Sequence, residues 1–478
     1  MLPTPPSNEP AATPTAPAAP IPVPTQPMAA ATPTPPTALA AGTATTPPTA
    51  TTPPTGRTTL SRRKLFSLGA GGAAVLAGCS SPFDDTTRGG GRVLEFTTFY
   101  TGPDGALMQK IVDRYNSSQD DVVVRFTAPA YGGDYLTKIL TASLAGAPPA
   151  IIALHSYEIP PLRRFLHTIA FNDLGFSQDD FIDGTWQLAN IDGRQYGVTM
   201  STGPAALGYN RALFEKAGLD PDRPPTTGTE FIAAAQALKK SGPWGFIRET
   251  GTFNPWLTFN WQAGGDLIDA DSRALFAEPP GIEAGQFERD LVHRYQVEPA
   301  QLAGPQLGAL FRSQKVGMVF TFPWVLSQLM KTNAQQGTQL DVAPLPQFFD
   351  GPRSVVATSH IYCIPKQRKN NEWIQTEAQK FIAWLVREGS GDWAGAQAPA
   401  SAAAAAAIAK SNDPVVRKMG LFIDEAKHAR FAPYAYRWTQ AFQYLNDALD
   451  DVVYQGADVA TELRRATARA TESMREPK

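Results

Sequence analysis

From about residue 92 onward the sequence predicts an α/β fold, on three observations. Short apolar, β-branched runs alternate with segments whose apolar residues recur at helical spacing. The opening order is strand, helix, strand, helix, strand, which implies a parallel sheet with helices covering its faces. No later run of 18 apolar residues interrupts this pattern, so nothing in it reads as a spanning helix. A formal charge of −2 over 478 residues supplies no global field for nucleic acid. Two cysteines are too few for a disulfide scaffold or a cysteine-based zinc module.

Ahead of this fold stand segments of other kinds. Residues 1–60 hold 17 of the 43 prolines and are otherwise mostly Thr and Ala, with Glu9 and Arg57 as the charged groups. They lack the large apolar side chains that would offset the entropy of ordering a chain. The segment reads as disordered, and either as sequence translated ahead of a true downstream start or as a real cytoplasmic extension. Ser61-Arg62-Arg63-Lys64-Leu65-Phe66 is a twin-arginine motif, followed by a short Gly/Ala-rich apolar stretch and Leu76-Ala77-Gly78-Cys79. Charged region, apolar region and small-residue cleavage site in that order predict an export signal over residues 61–78. The Leu-Ala-Gly-Cys end resembles a bacterial lipobox, which makes Cys79 the lipidated N-terminus of the mature chain. Gly69-Ala70-Gly71-Gly72-Ala73-Ala74 fits a dinucleotide fingerprint by spacing, but no strand precedes it. Cleavage removes Arg57, Arg62, Arg63, Lys64 and Glu9, which takes the charge from −2 to −5. Residues 79–91 then form a polar, Gly-rich tether.

The elements follow in order. Strands are expected at residues 93–99, 122–126 and 150–154, with helices at 105–117 and 135–144 between them. The chain leaves the third strand at its carboxyl end, where open α/β sheets place ligands. Further strands are expected at 194–199, 205–210, 316–320, 342–345 and 355–364. Helices are expected at 229–240 (capped by Thr227 or Thr229), 372–386 and 401–410. Two helices with a break near Gly456 close the chain between residues 437 and 474.

Several stretches carry a resemblance. Tyr209-Asn210-Arg211-Ala212-Leu213-Phe214-Glu215-Lys216-Ala217-Gly218-Leu219, Pro224-Pro225-Thr226, Trp261-Gln262-Ala263-Gly264-Gly265-Asp266, Lys315-Val316-Gly317-Met318 with Pro323-Trp324, and Ala343-Pro344-Leu345-Pro346 occur in that order. In order and spacing they resemble the family 1 extracellular solute-binding proteins, the sugar-type receptors of ABC importers. The resemblance covers nearly all of residues 92–474. It implies a two-lobed, type II periplasmic-binding-protein fold with the ligand cleft between α/β lobes. Lobe one would be residues 92–203 and 354–395, and lobe two residues 204–353 and 396–478.

A sugar offers an apolar face and a rim of hydroxyls, so its site needs aromatic rings and satisfied polar partners. Candidates in loops at strand ends are Tyr100, His155, Tyr157, Glu158, Thr202, Trp256, Trp261, Asp266, Trp324, Ser359, His360, Arg430 and Tyr434. Each also has a packing reading, strongest for Trp261 and the isolated histidines. Trp438 reads as packing. Thr97, Phe322 and Thr358-Ser359 depart from the residues common in the family, so the ligand need not be its commonest sugar.

The resemblance implies a saccharide or polyol as ligand, ABC permeases with a separate ATPase as partners, and a monomer held by its lipid on the outer face of the cytoplasmic membrane. No cofactor, metal or nucleic acid is expected. The five histidines form no close ligand pair, and G-x-S-x-G and Walker motifs are absent. The rival readings are an exported carbohydrate-active enzyme, whose two facing carboxylates no motif signals, and a lipoprotein sensor on the same fold.

Overall fold

The computed structural model describes residues 92–129, 133–182, 184–242, 244–248, 251–300, 305–337, 339–368 and 371–475. The disordered segment, the twin-arginine pair Arg62 and Arg63, Cys79 and the tether lie outside the described residues.

Two sheets organise the chain. The first contains β1 (Arg92–Thr97), β2 (Val122–Thr127), β3 (Ile151–Leu154), β6 (Val198–Pro204), β11 (Val355–Cys363) and β12 (Ala398–Pro399), in the order β12-β6-β11-β3-β1-β2, with β13 (Ala429–Arg430) paired to β11. β4 (Asn190–Ile191) and β5 (Arg194–Gln195) form a separate hairpin. The second sheet has the order β10-β7-β9-β8, from β7 (Ala206–Asn210), β8 (Trp244–Arg248), β9 (Val316–Thr321) and β10 (Leu340–Ala343).

The first block follows the sequence pattern. β1 is parallel to both β2 and β3. The helix Gly102–Ser117 buries Met108, Ile111, Val112 and Tyr115, the face its spacing predicts. β3 is buried throughout, as a central strand covered on both faces should be; it runs parallel to β1 and antiparallel to β11. In the second block Thr227 caps the helix Gly228–Ser241: its hydroxyl accepts from Glu230 N–H, and Glu230 returns a bond to Thr227 N–H. Gly456, at φ +72°, ends the helix Trp438–Gln455 before Val459–Met474 begins.

Two crossings between the sheets, from β6 to β7 and from β10 to β11, lie side by side in space. Ala205 N–H donates to Val356 O between the two crossings (2.9 Å). Gly203 lies at this junction because a Cβ there would come within 2.5 Å of Thr358 Oγ1 and 2.9 Å of the Trp324 ring.

The structure differs from expectation at several points, among them helices at Phe253–Gln262, Pro279–His293, Pro323–Gln336 and Pro414–Ala426 that were not expected. The run expected as one strand at 194–199 divides into β5 and β6. Residues 398–399 and 429–430, expected in lobe two, join the first sheet through β6 and β11. The helix expected to reach residue 386 passes into a π turn at Leu385–Gly389.

Candidate functional site

A cavity of about 490 Å³ lies where the two sheets meet. The first sheet contributes Phe99, Tyr100 and Asp104 beyond β1, His155 and Tyr157 beyond β3, and Thr358 and His360 on β11. The second half contributes Phe253, Asn254 and Leu257 from the helix Phe253–Gln262, Trp324 from the start of Pro323–Gln336, and Trp438 and Phe442 from Trp438–Gln455. Small-molecule sites have this size and this mix of apolar walls with few polar groups.

The polar groups are held from behind. His155 Nδ1 lies 2.5 Å from the Ser359 carbonyl, so that nitrogen carries a proton and donates. Ser359 Oγ accepts from Ser156 N–H, and Glu158 accepts from His155 N–H, which fixes the turn after β3. Trp393 Nε1 donates to Ser201 Oγ (3.1 Å), which in turn hydrogen-bonds His360 Nδ1 (2.9 Å). Burial, with His155 beside it, pushes the His360 pKa well below the usual range, so the ring is neutral. Tyr100 packs against Trp393 at 4.8 Å and His360 at 5.2 Å. Burial raises the Asp104 carboxyl to about 6, partly offset by the bond it accepts from Gln397 (3.0 Å). Gln397 Oε1 and Thr358 Oγ1 are buried without a hydrogen-bond partner among the described residues. Both residues line the cavity, and a buried acceptor left in this state is costly until something bonds to it.

On the opposite wall Trp324 stacks on Phe322, with ring centres 4.5 Å apart and planes 6° from parallel. Phe322 is wholly buried, while Trp324 is partly exposed toward the cavity.

A sequence model described as bacterial extracellular solute-binding protein matches residues 100–392. The chain belongs to this family. Among its relatives, an arabinooligosaccharide-binding protein of Bacillus subtilis is 22% identical over 329 residues, covering 66% of this chain and 74% of the relative. An sn-glycerol-3-phosphate-binding periplasmic protein of Agrobacterium fabrum is 27% identical over 173 residues, covering 33% and 37%. The fold matches maltose-bound MalE3 of T. maritima with a TM-score of 0.69 at 19% identity, covering 79% of this chain and 98% of that one. These relatives are named for binding and not for catalysis. The solute-binding protein thus has the two-lobed fold expected, with the cavity between the lobes.

Of the thirteen expected contact residues, Tyr100, His155, Tyr157, Trp324 and His360 line the cavity. The others lie elsewhere for definable reasons. Glu158 and Ser359 bond to the backbone of the β3 turn, as above. Thr202 is buried in β6 between β11 and β12. Trp256 is fully buried in the second core and donates to Gly281 O (3.0 Å). Trp261 is buried under the Arg430 guanidinium, 4.9 Å from its ring centre. Arg430 in turn pairs with the exposed Asp266 (3.2 Å). Tyr434 is 40% exposed, and its hydroxyl bonds Ser156 across from lobe two to lobe one.

Phe99, Asp104, Asn254, Phe253, Phe442 and Gln397 were absent from the expected set. Phe253 and Asn254 fall in a helix that the sequence reading did not locate. Asp104 had a usable signal, being four residues past Tyr100 at the junction of the first strand and the first helix, in whose first turn it lies. Trp438, read as packing, is buried yet forms part of the wall.

Proposed function

We propose that this solute-binding protein captures a neutral saccharide or polyol between its lobes and delivers it to ABC permeases, with ATP hydrolysed by a separate subunit. One observation carries the reading: aromatic rings from both lobes face a cavity that also holds a carboxylate and two unpartnered acceptors. Rings such as Trp324 and Tyr157 suit the apolar face of a sugar, while Asp104, Gln397 and Thr358 suit its hydroxyls. The described lining contains no Lys or Arg, which argues against a phosphate ester such as the Agrobacterium relative's ligand. Arabinooligosaccharide as the ligand of another relative supports the sugar class. Export by the twin-arginine motif and a lipid at Cys79 complete the reading.

Thermal shift and calorimetry against neutral oligosaccharides and sn-glycerol-3-phosphate, with the ligand recovered afterwards, test this. Binding of an oligosaccharide that is recovered intact is expected. Cleavage would establish the enzyme reading instead, and binding of the phosphate ester alone would overturn the neutral-ligand reading. Mass spectrometry of the membrane fraction tests the lipid: Cys79→Ser should release the protein into the soluble fraction, and retention would refute that part.

A further inference from the structure

The end of lobe one that faces away from the cavity gathers cations. β11 starts beside the cavity, at Val356 and Thr358, and runs to Cys363 at the far end. β6 is antiparallel to it and starts at this far end, Val198 pairing with Tyr362. β3 is antiparallel to β11 and parallel to β1, so β1 also enters here, at Arg92.

Beyond these strand ends lies a hollow of about 380 Å³ lined by Arg163, Arg164, His167, Arg194, Tyr196 and Lys366 among others. Lys366 knits its two sides together: its N–H donates to Phe165 O (2.7 Å) and its Nζ to Arg164 O (3.1 Å). Asp192 approaches Arg163 at 3.5 Å and is itself largely exposed. Among the described residues, no carboxylate pairs with Arg164, Arg194 or Lys366. Burial and the Lys366 charge push the His167 pKa down, as crowded cations should.

Two neighbours extend the surface. Arg368 N–H donates to Gly146 O (2.9 Å), which brings the end of the helix Gly133–Ala145 to the same pole. That helix exposes Leu140 by 37% and Leu144 by 64%. The Arg92 guanidinium lies 4.9 Å over the Trp373 ring, so the chain enters the fold on this surface too. Its carboxylates Asp120 and Asp121 precede β2, two strands beyond β3 in the sheet order, and Glu372 sits beside Trp373.

We propose that this pole is a membrane-facing surface, its cations binding the phosphate groups of an anionic bilayer and Leu144 entering the headgroup layer. A soluble phosphate would satisfy the cations equally. The bilayer is favoured because the adjacent leucines are apolar and exposed, and because the chain enters the fold here, at Arg92. The second argument rests on the lipid reading of Cys79. Twelve residues separate that cysteine from Arg92, a reach of about 45 Å at most. A basic patch beside a lipid anchor adds electrostatic affinity for an anionic bilayer. Each surface cation contributes about fivefold to such binding, and salt screens it.

The test uses the full chain carrying Cys79→Ser, so that no lipid contributes. It is co-sedimented with vesicles of phosphatidylglycerol and phosphatidylcholine, and with phosphatidylcholine alone, at about 50 and 500 mM NaCl. Binding to the anionic vesicles that disappears at high salt is expected. Combined Arg164→Glu, Arg194→Glu and Lys366→Glu should weaken it more than tenfold, and Leu144→Ser severalfold. Thermal melting should be unchanged; should the triple variant fail to fold, Arg164→Gln and Lys366→Gln singly give the same comparison. Equal vesicle binding by these variants would overturn the proposal. So would binding of inorganic phosphate or soluble polyphosphate at the hollow without vesicle binding. Neither result bears on lipidation, which mass spectrometry reads separately.

Discussion

The two walls of the cavity are built by different means. Lobe one presents polar groups, each held by a relay behind it: Ser359 orients His155, and Trp393 through Ser201 orients His360. Lobe two presents rings, and rings are held by packing, as Phe322 holds Trp324. Directional groups need fixed partners, whereas an aromatic face needs only a rigid backing. Under the proposed function, lobe one supplies most of the directional groups for hydroxyls together with the Tyr157 ring, and lobe two supplies most of the apolar wall, with Asn254 and Gln397 at its polar edge.

Removing the backing should have the largest effect. Phe322→Ala leaves a hole in a wholly buried position and should cost about 3–5 kcal/mol of stability in denaturant melts. Ligand affinity should fall as well, because Trp324 loses its support. Trp324→Ala should next reduce saccharide affinity by about 2 kcal/mol with a smaller change in stability, as for a buried contact ring. An affinity unchanged in calorimetry would end the division of labour between the walls.

Asp104 sharpens the lobe-one side. Burial raises its pKa to about 6 from the ordinary 3.8, so the folded state favours the protonated form. Stability tied to that proton is present in full below about pH 4 and is lost as the pH rises through about 6. Asp104→Asn should therefore melt higher than wild type at pH 7 and alike at pH 4. Saccharide affinity in the wild type should fall below about pH 6, where the carboxylate ceases to be an acceptor only, and stay flat in the variant. The smallest effect expected is that of Tyr434→Phe, which loses one bond to Ser156 between the lobes. It should cost about 1 kcal/mol in thermal melts, and no loss would mean that the contact between the lobes is idle.

Much of the fold was legible because its strands are short, apolar and bounded by turn residues. β1, β2, β3, β7, β9 and β11 lie within a few residues of their expected positions. The helix Phe253–Gln262 escaped notice because nine of its ten residues are buried, so it has no polar face to mark its period. The site was less legible. The stretch with the most specific family resemblance proves to be structural: Asn210 caps the following turn by accepting from Leu213 N–H, and Tyr209 donates to Pro221 O. Gln262, in the Trp261 stretch, similarly joins Pro346, Phe348 and Ser354. Tryptophan by itself does not distinguish core from cavity wall; Trp256 and Trp324 differ in what surrounds them, and that depends on tertiary packing. The overall charge likewise concealed the basic hollow, whose members are brought together from separate segments.

The central claim is that a neutral saccharide sits between the two walls. Titration calorimetry of wild type, Trp324→Ala and Trp256→Phe against a neutral oligosaccharide found by thermal shift tests it most directly. One site per chain is expected, with an affinity loss of tenfold or more in Trp324→Ala and wild-type affinity in Trp256→Phe. Equal affinity in Trp324→Ala and wild type would contradict it.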